Sequence, residues 1–574
     1  MRAMSRDRVR AGDGYGDGDG ERDGDGDGDR HRERERDQDR DQDQDPDPDP
    51  DPDPGGAPVR DHYVDFLRAW AILLVVLGHW LITGLVRRPD GEIVAPELLA
   101  AVPWTQWLTL GFQIMPLFFL AGGHAAGGSW TRARSAGGTA AGWVGQRAVR
   151  LLLPAAAYSG LVLLAVGVSA GLGVDPATLA LVGWAMAMQF WFLPVYLLLS
   201  ALTPAVYALH ERWGVRVPVG MGAVALGIGA SVAAAGSPRP GAVEAVGALN
   251  YLLVWGVVYQ LGFCWRDGSL GGAGRSAAPI ALAAGGGAAF VALVGPGPFP
   301  VSLILVTGQE LSNADPPSPA MLAWAVAQVG VALLVAPVVR RVLERARVRR
   351  AVRVLGAGSM ALYLWHMAPV LIVAAAFYLT GLAPEPGYGS AAWWGLRLPW
   401  LLVLGCVLAG VVRALRPLER GVAGVETRVR PASGLRGAAS WPMWGGLGMS
   451  VCALTYFAGH GFAYGGAFPV WPAVGLGVGT VLVGLTRGPG VLSGAARRPD
   501  AVTTDSTGGA DGTSGAAETD GTGETGGAGG ARETSGAGGA RETSGAGGTG
   551  RTSGTGGTSR TSGAGGADAG AASR

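Results

Sequence analysis

DHYVDFLRAWAILLVVLGHW, residues 61–80, is the stretch on which the fold turns. Past its polar start it is apolar except for Arg68 and His79. A helix needs about 20 apolar residues to cross a hydrocarbon core ~30 Å thick, and the segment 63–84 has that length. Ionisable groups inside such a segment are costly and tend to be functional. Arg68 and His79 stand eleven residues apart. At about 100° per residue this is close to three full turns, so they share one helix face, roughly 16 Å apart along the axis. Asp65 lies three residues before Arg68, where it can pair with it on that face. One stripe thus offers a cation near one membrane surface and an imidazole near the middle. The plain alternative is an Arg snorkelling to the headgroups and a His bonded to a neighbouring helix. The spacing alone weighs the two evenly.

Outward from this segment, apolar runs of similar length recur at about 104–126, 149–172, 178–206, 217–236, 248–265, 277–295, 319–340, 355–381, 391–412, 444–463 and 467–486. With the first that makes twelve. The last two are Gly-rich and the weakest. Arg placement tests the set, because cytoplasmic loops carry the positive charge. The connections after the even-numbered segments hold 22 of the 27 Arg between 61 and 494, including Arg132, Arg134, Arg147, Arg150, the cluster 340–353 and the stretch 413–436. The opposite connections hold four: Arg87, Arg88, Arg239 and Arg397. The expected fold class is an all-α integral membrane protein. It is a polytopic bundle of about 10–12 transmembrane helices in the plasma membrane, with both termini cytoplasmic.

The flanks differ in kind. Residues 1–60 hold 20 acids against 11 Arg, a net −9, and residues 61–494 are net +12, so the overall +1 is a cancellation. Residues 1–57 run through DGDGDGDG and DQDQDPDPDPDPDP and read as a disordered acidic tail. Residues 491–574 form a Gly/Ala/Ser/Thr-rich tail with a near-repeat of GAGGARETS, also disordered. Between them the organisation is a membrane domain at 61–415, then a cytoplasmic loop with two further helices at 416–490. Three Cys, all in apolar stretches, argue against a disulfide scaffold. No metal-ligand spacing is visible. The scattered Arg give no nucleic-acid-binding face.

Several motifs follow the first in a fixed order: PLFFLAGGH (116–124), RAVRLLLP (147–154), QFWFLPVYL (189–197) and SMALYLWHMAPV (359–370). Together with the Arg-x10-His spacing they resemble the acyltransferase-3 family of membrane enzymes, which includes bacterial O-acetyltransferases of surface glycans. The resemblance covers about 61–415. Gly122 departs from it, standing where the family usually has Ser in Phe-Phe-x-x-Ser-Gly.

The resemblance implies acyl transfer, with acetyl the expected group, from acyl-coenzyme A to a hydroxyl of a glycan or glycosylated product. No metal is expected, since no metal-ligand spacing is visible. A hydroxyl needs a base, and His is suited near neutrality. His79 is the expected base, with Arg68 and Asp65 beside it in the catalytic set. An acyl-His intermediate is the other route. Arg147 and Arg150, one turn apart at the mouth of the third segment, are expected on the donor's phosphates, with Arg68 as a deeper contact. Their plain reading is ordinary topology-setting Arg. Tyr363 and His366 share a helix face with Ser359 and are expected to line the substrate cavity or simply to be satisfied core residues. The outer segment VTGQELSNADPPSP (306–319) offers Glu310 and Asn313 to an acceptor, although Asn and Asp before Pro-Pro also make ordinary turns. A twelve-span secondary transporter is the alternative function. It predicts two similar halves, and the Arg-x10-His pattern has no counterpart near the seventh segment.

Overall fold

The computed structural model describes residues 61–486, apart from 85, 88–92, 95, 237–239, 272–275, 379, 385, 430 and 431. Both tails lie outside the described residues, as do Arg88 and Arg239 of the outer connections.

Every one of the twelve apolar segments is helical. They are α1 (His62–Ile82), α2 (Met115–Ser135), α3 (Ala140–Gly171), α4 (Phe192–Trp213), α5 (Arg216–Ala235), α6 (Asn250–Arg266), α7 (Ala277–Val294) and α8 (Pro319–Leu343), followed by the surface helix α9 (Ala346–Ala357). The ninth segment is broken into α10 (Ser359–Trp365) and α11 (Ala368–Tyr378), which meet at a 41° bend. Then come α12 (Arg397–Arg428), α13 (Trp441–His460) and α14 (Val470–Leu485). Among the described residues nine helices are long and apolar enough to cross a membrane, ten if α10 and α11 make one span. The 16 residues of α14 rise only about 24 Å, short of a ~30 Å core. It packs against α13 as a hairpin.

Local signals place the helix ends. Asp61 caps α1 by accepting from the Tyr63 amide, and Thr139 caps α3 by accepting from the Gly142 amide. The second cap starts α3 nine residues earlier than its apolar run does. Arg147 and Arg150 therefore lie about two and three turns inside the helix. Between α1 and α2, two short strands, β1 (Val86–Arg87) and β2 (Ile93–Val94), pair antiparallel.

Contacts between helix ends follow the alternation of charge. At the arginine-rich end, Arg340 of α8 bonds Asp61 before α1 at 2.7 Å. Arg134 of α2 pairs with Glu211 of α4, and His210 of α4 meets Asp267 after α6 at 2.7 Å. At the other end, Arg397 of α12 donates to the Thr83 carbonyl closing α1 at 2.8 Å. There also the Thr307 amide donates to Glu97 at 3.0 Å, and Tyr251 of α6 donates to Asp315 at 3.0 Å. The outward faces are apolar: Leu164, Val219, Val291 and Leu402 are each more than 60% exposed. Exposed leucine and valine over so many helices is what lipid accepts and water does not.

The centre of the bundle is tight. α2 and α6 touch backbone to backbone, because a Cβ on Gly262 would stand 2.6 Å from the His124 amide nitrogen. Small residues permit this approach where burial in lipid gives no hydrophobic drive. α1 packs beside α2, α8, α10 and α12, so both ends of its Arg68–His79 stripe face other helices.

Candidate active site

The bend between α10 and α11 places His366. Its carbonyl accepts from the Trp80 indole at 2.7 Å, which fastens the bend to α1. The His366 ring is fully buried. Its Nε2 lies 2.7 Å from Nδ1 of His79, and its Nδ1 lies 2.9 Å from the Tyr363 carbonyl oxygen. A carbonyl only accepts, so His366 Nδ1 carries a hydrogen. With both rings neutral, His366 Nε2 is then an acceptor and His79 Nδ1 is its donor. His79 Nε2 is left as a lone pair. The order of protons along Tyr363, His366 and His79 thus leaves a basic nitrogen at the end of the chain.

The wall behind His366 is a second network. The Tyr363 hydroxyl donates to the Gln189 carbonyl at 2.8 Å. The Gln189 amide donates to the Met186 carbonyl at 2.8 Å and to the Tyr158 hydroxyl at 3.1 Å. Tyr158 itself donates to the Met186 carbonyl at 2.6 Å. Gln189 sits on a single 3₁₀ turn, Met188–Trp191, just before α4. Phe462, beyond α13, packs against Phe190 and Tyr158 and closes this wall.

Toward the arginine-rich end, Arg68 is half-buried and its Nε is buried without a hydrogen-bond partner. Arg147 lies over the Trp143 ring at 4.7 Å and donates to the Ser129 hydroxyl at 3.0 Å. Arg147 and Arg68 are both charged neighbours of the buried Tyr196 hydroxyl. His124, with its ring tilted against Trp265, has Asp61 as an anionic neighbour and Arg266, Arg340 and Arg68 as cationic ones. Cations outnumber anions at this end of the site.

The structure brings some sequence-selected residues together and separates others. His79 meets His366, with Tyr363 behind. Arg68 and Arg147 share Tyr196 as a neighbour. Arg150 points away: it is 63% exposed and pairs with Glu426 at 3.4 Å. Three residues along a helix turn a side chain by about 300°, and that 60° offset is enough to divide inward from outward. Asp65 is half-buried on the first turn of α1. Glu310 is exposed. Asn313 is fully buried, and its amide braces its own loop through the carbonyls of Pro300 and Ser302 and the Ser318 hydroxyl. Tyr196, Gln189, Tyr158, Ser129 and Trp80 carry the network without having been singled out. Tyr196 and Gln189 lie in the quoted motif 189–197 and Trp80 closes the quoted stretch 61–80, whereas Tyr158 and Ser129 had no signal that set them apart.

A family model described as an acyltransferase domain, that of the acyltransferase-3 family, matches residues 61–415, more than half of the chain. The protein belongs to that family and is a multi-span membrane acyltransferase. No match was found among curated proteins or among solved structures.

Proposed function

We propose that the chain moves an acetyl group from acetyl-coenzyme A, taken at the arginine-rich end, to a hydroxyl of a glycan or glycosylated product. The observation that carries this is the His79–His366 hydrogen bond, which leaves His79 Nε2 as a base inside the bundle. His79 Nε2 accepts the acceptor's hydroxyl proton as its oxygen attacks the thioester carbonyl carbon. The C–S bond breaks, and the proton passes to the departing thiolate. His366 keeps His79 in the required tautomer, as an orienting partner does for a catalytic base. The donor's phosphates are acceptors only. Arg68 suits them, since its buried Nε lacks a partner, and Arg147 shares Tyr196 with it as a neighbour. The roughly 16 Å from Arg68 to His79 along α1 separates phosphate recognition from chemistry, a gap that coenzyme A's pantetheine arm spans.

The positive-inside pattern supports a plasma-membrane protein with the arginine-rich end in the cytoplasm. The acceptor then enters from the opposite end, beside the loop that Asn313 braces and on which Glu310 is exposed. The test is coenzyme A release and label transfer from acetyl-labelled coenzyme A in membranes holding the chain. Wild type is expected to transfer label into glycan or lipid-linked glycan, and His79→Ala to lose about 100-fold or more. Equal rates for the two, with folded protein present, would overturn the assignment of His79.

A further inference from the structure

We propose that the acidic segment 41–54 of this same chain docks on the arginine face of the surface helix α9. The inference goes beyond acyl transfer and does not depend on it.

α9 (Ala346–Ala357) is two-faced. Val348, Val352 and Leu355 stand at i, i+4 and i+7, so they share one face. Val352 is buried, the other two are half-buried, and the helix packs against α1. Arg347, Arg350 and Arg353 lie off that face and are exposed. Residues 340–353 hold seven Arg and one acid, Glu344, and no acid follows before Ala357. Like charges three or four residues apart on a helix repel, as Arg345 and Arg349, Arg347 and Arg350, and Arg350 and Arg353 do. An anionic partner offsets that repulsion. The apolar face is already taken by α1, so the partner is selected by charge.

Position in the chain names the partner. Arg340, in the last turn of α8, bonds Asp61 at 2.7 Å, so the N-terminal segment joins the bundle near the foot of α9. Residues 41–54, DQDQDPDPDPDPDP, carry seven Asp and no Arg. Residues 55–60, which link them to Asp61, carry a single charge, Arg60. Asp53 is eight residues before Asp61, a reach of up to ~28 Å. The 12 residues of α9 rise only about 18 Å. A segment tethered at that range acts at an effective concentration on the order of millimolar. Anionic headgroups offer the same sign of charge, but the acidic segment is fixed beside α9 in every copy of the chain.

The test uses the absence of Lys from the sequence, since one substitution then gives α9 its own reactive amine. Arg350→Lys keeps the charge. The purified full chain, one copy per nanodisc of zwitterionic lipid, is treated with a carbodiimide, which joins an amine to a neighbouring carboxylate. Mass spectrometry reads the linked positions. At about 0.15 M salt a link is expected from position 350 to one of the Asp between 41 and 53. Its yield should fall at least ~5-fold at about 1 M salt, where the screening length shrinks to ~3 Å. Arg347→Lys and Arg353→Lys repeat the measurement from neighbouring turns. Changing the seven Asp of 41–54 to Asn should abolish these links while the protein stays monodisperse. No link to 41–53 from any of the three positions overturns the proposal. A yield that salt does not change overturns it too, because charge then does not hold the contact. Links that vanish when anionic phosphatidylglycerol enters the disc also overturn it, and make the headgroups the partner of α9.

Discussion

At the scale of single residues, the decisive contact is the 2.7 Å approach of two imidazoles. His366 acts through His79 and is a positioning residue. Its removal should mimic loss of tautomer control rather than loss of binding. His366→Ala is expected to lower kcat by ~100-fold or more and to leave KM for acetyl-coenzyme A within a few-fold. A matched fall in affinity would instead make His366 part of the donor site. Arg147 and Arg150 make the second residue-level contrast. Arg150 is mostly exposed and sits in a long 3.4 Å pair with Glu426, the kind of pair that contributes ~0–1 kcal/mol. Arg150→Ala should change donor KM little, whereas Arg147→Ala should raise it ~10-fold or more. Steady-state kinetics on the two single variants separates them, and equal effects would mean that the outward arginine also reaches the donor.

At the scale of elements, α1 is held against the α10–α11 bend by the Trp80 indole hydrogen bond as well as by the His79–His366 contact. Trp80→Phe keeps the apolar ring and removes that bond, and should cost about 1 kcal/mol of stability. A drop in unfolding temperature together with a larger drop in kcat is expected, since the bend carries His366. The packing of α2 on α6 is less forgiving. Gly262→Ala sets a methyl against the α2 backbone, where no side-chain rotation relieves it. It should destabilise by roughly 1–3 kcal/mol, read as loss of monodisperse protein on extraction or a lower unfolding temperature.

At the scale of the molecule, the family match ends at residue 415, but the packing does not. α13 and α14 lie against α3, and Phe462 is fully buried on Phe190 and Tyr158, which support the wall behind Tyr363 and His366. The hairpin is thus a buttress of the site. Phe462→Ala leaves a large void, costing on the order of 3 kcal/mol. Heating of wild type and variant in the same lipid should show it as a clear fall in unfolding temperature.

What the sequence by itself determined is what depends on neighbours along the chain. Segment length and apolar content set the helices, Arg alternation set which helix ends group together, and an eleven-residue spacing put Arg68 and His79 on one stripe. The ordered motifs over 61–415 pointed to the family that the match confirms. Tertiary structure alone decided what each stripe meets. His79 and His366 are 287 positions apart, and no periodicity links them. The close placement of Arg147 and Arg150 in sequence concealed their opposite directions, because a helical offset of 60° becomes inward or outward only once neighbouring helices take their places. The partner that Tyr196 gains from Gly122 is of the same kind. An absent side chain is silent in sequence, and its space acquires an occupant only when another helix arrives, as Tyr196 does beside Gly122.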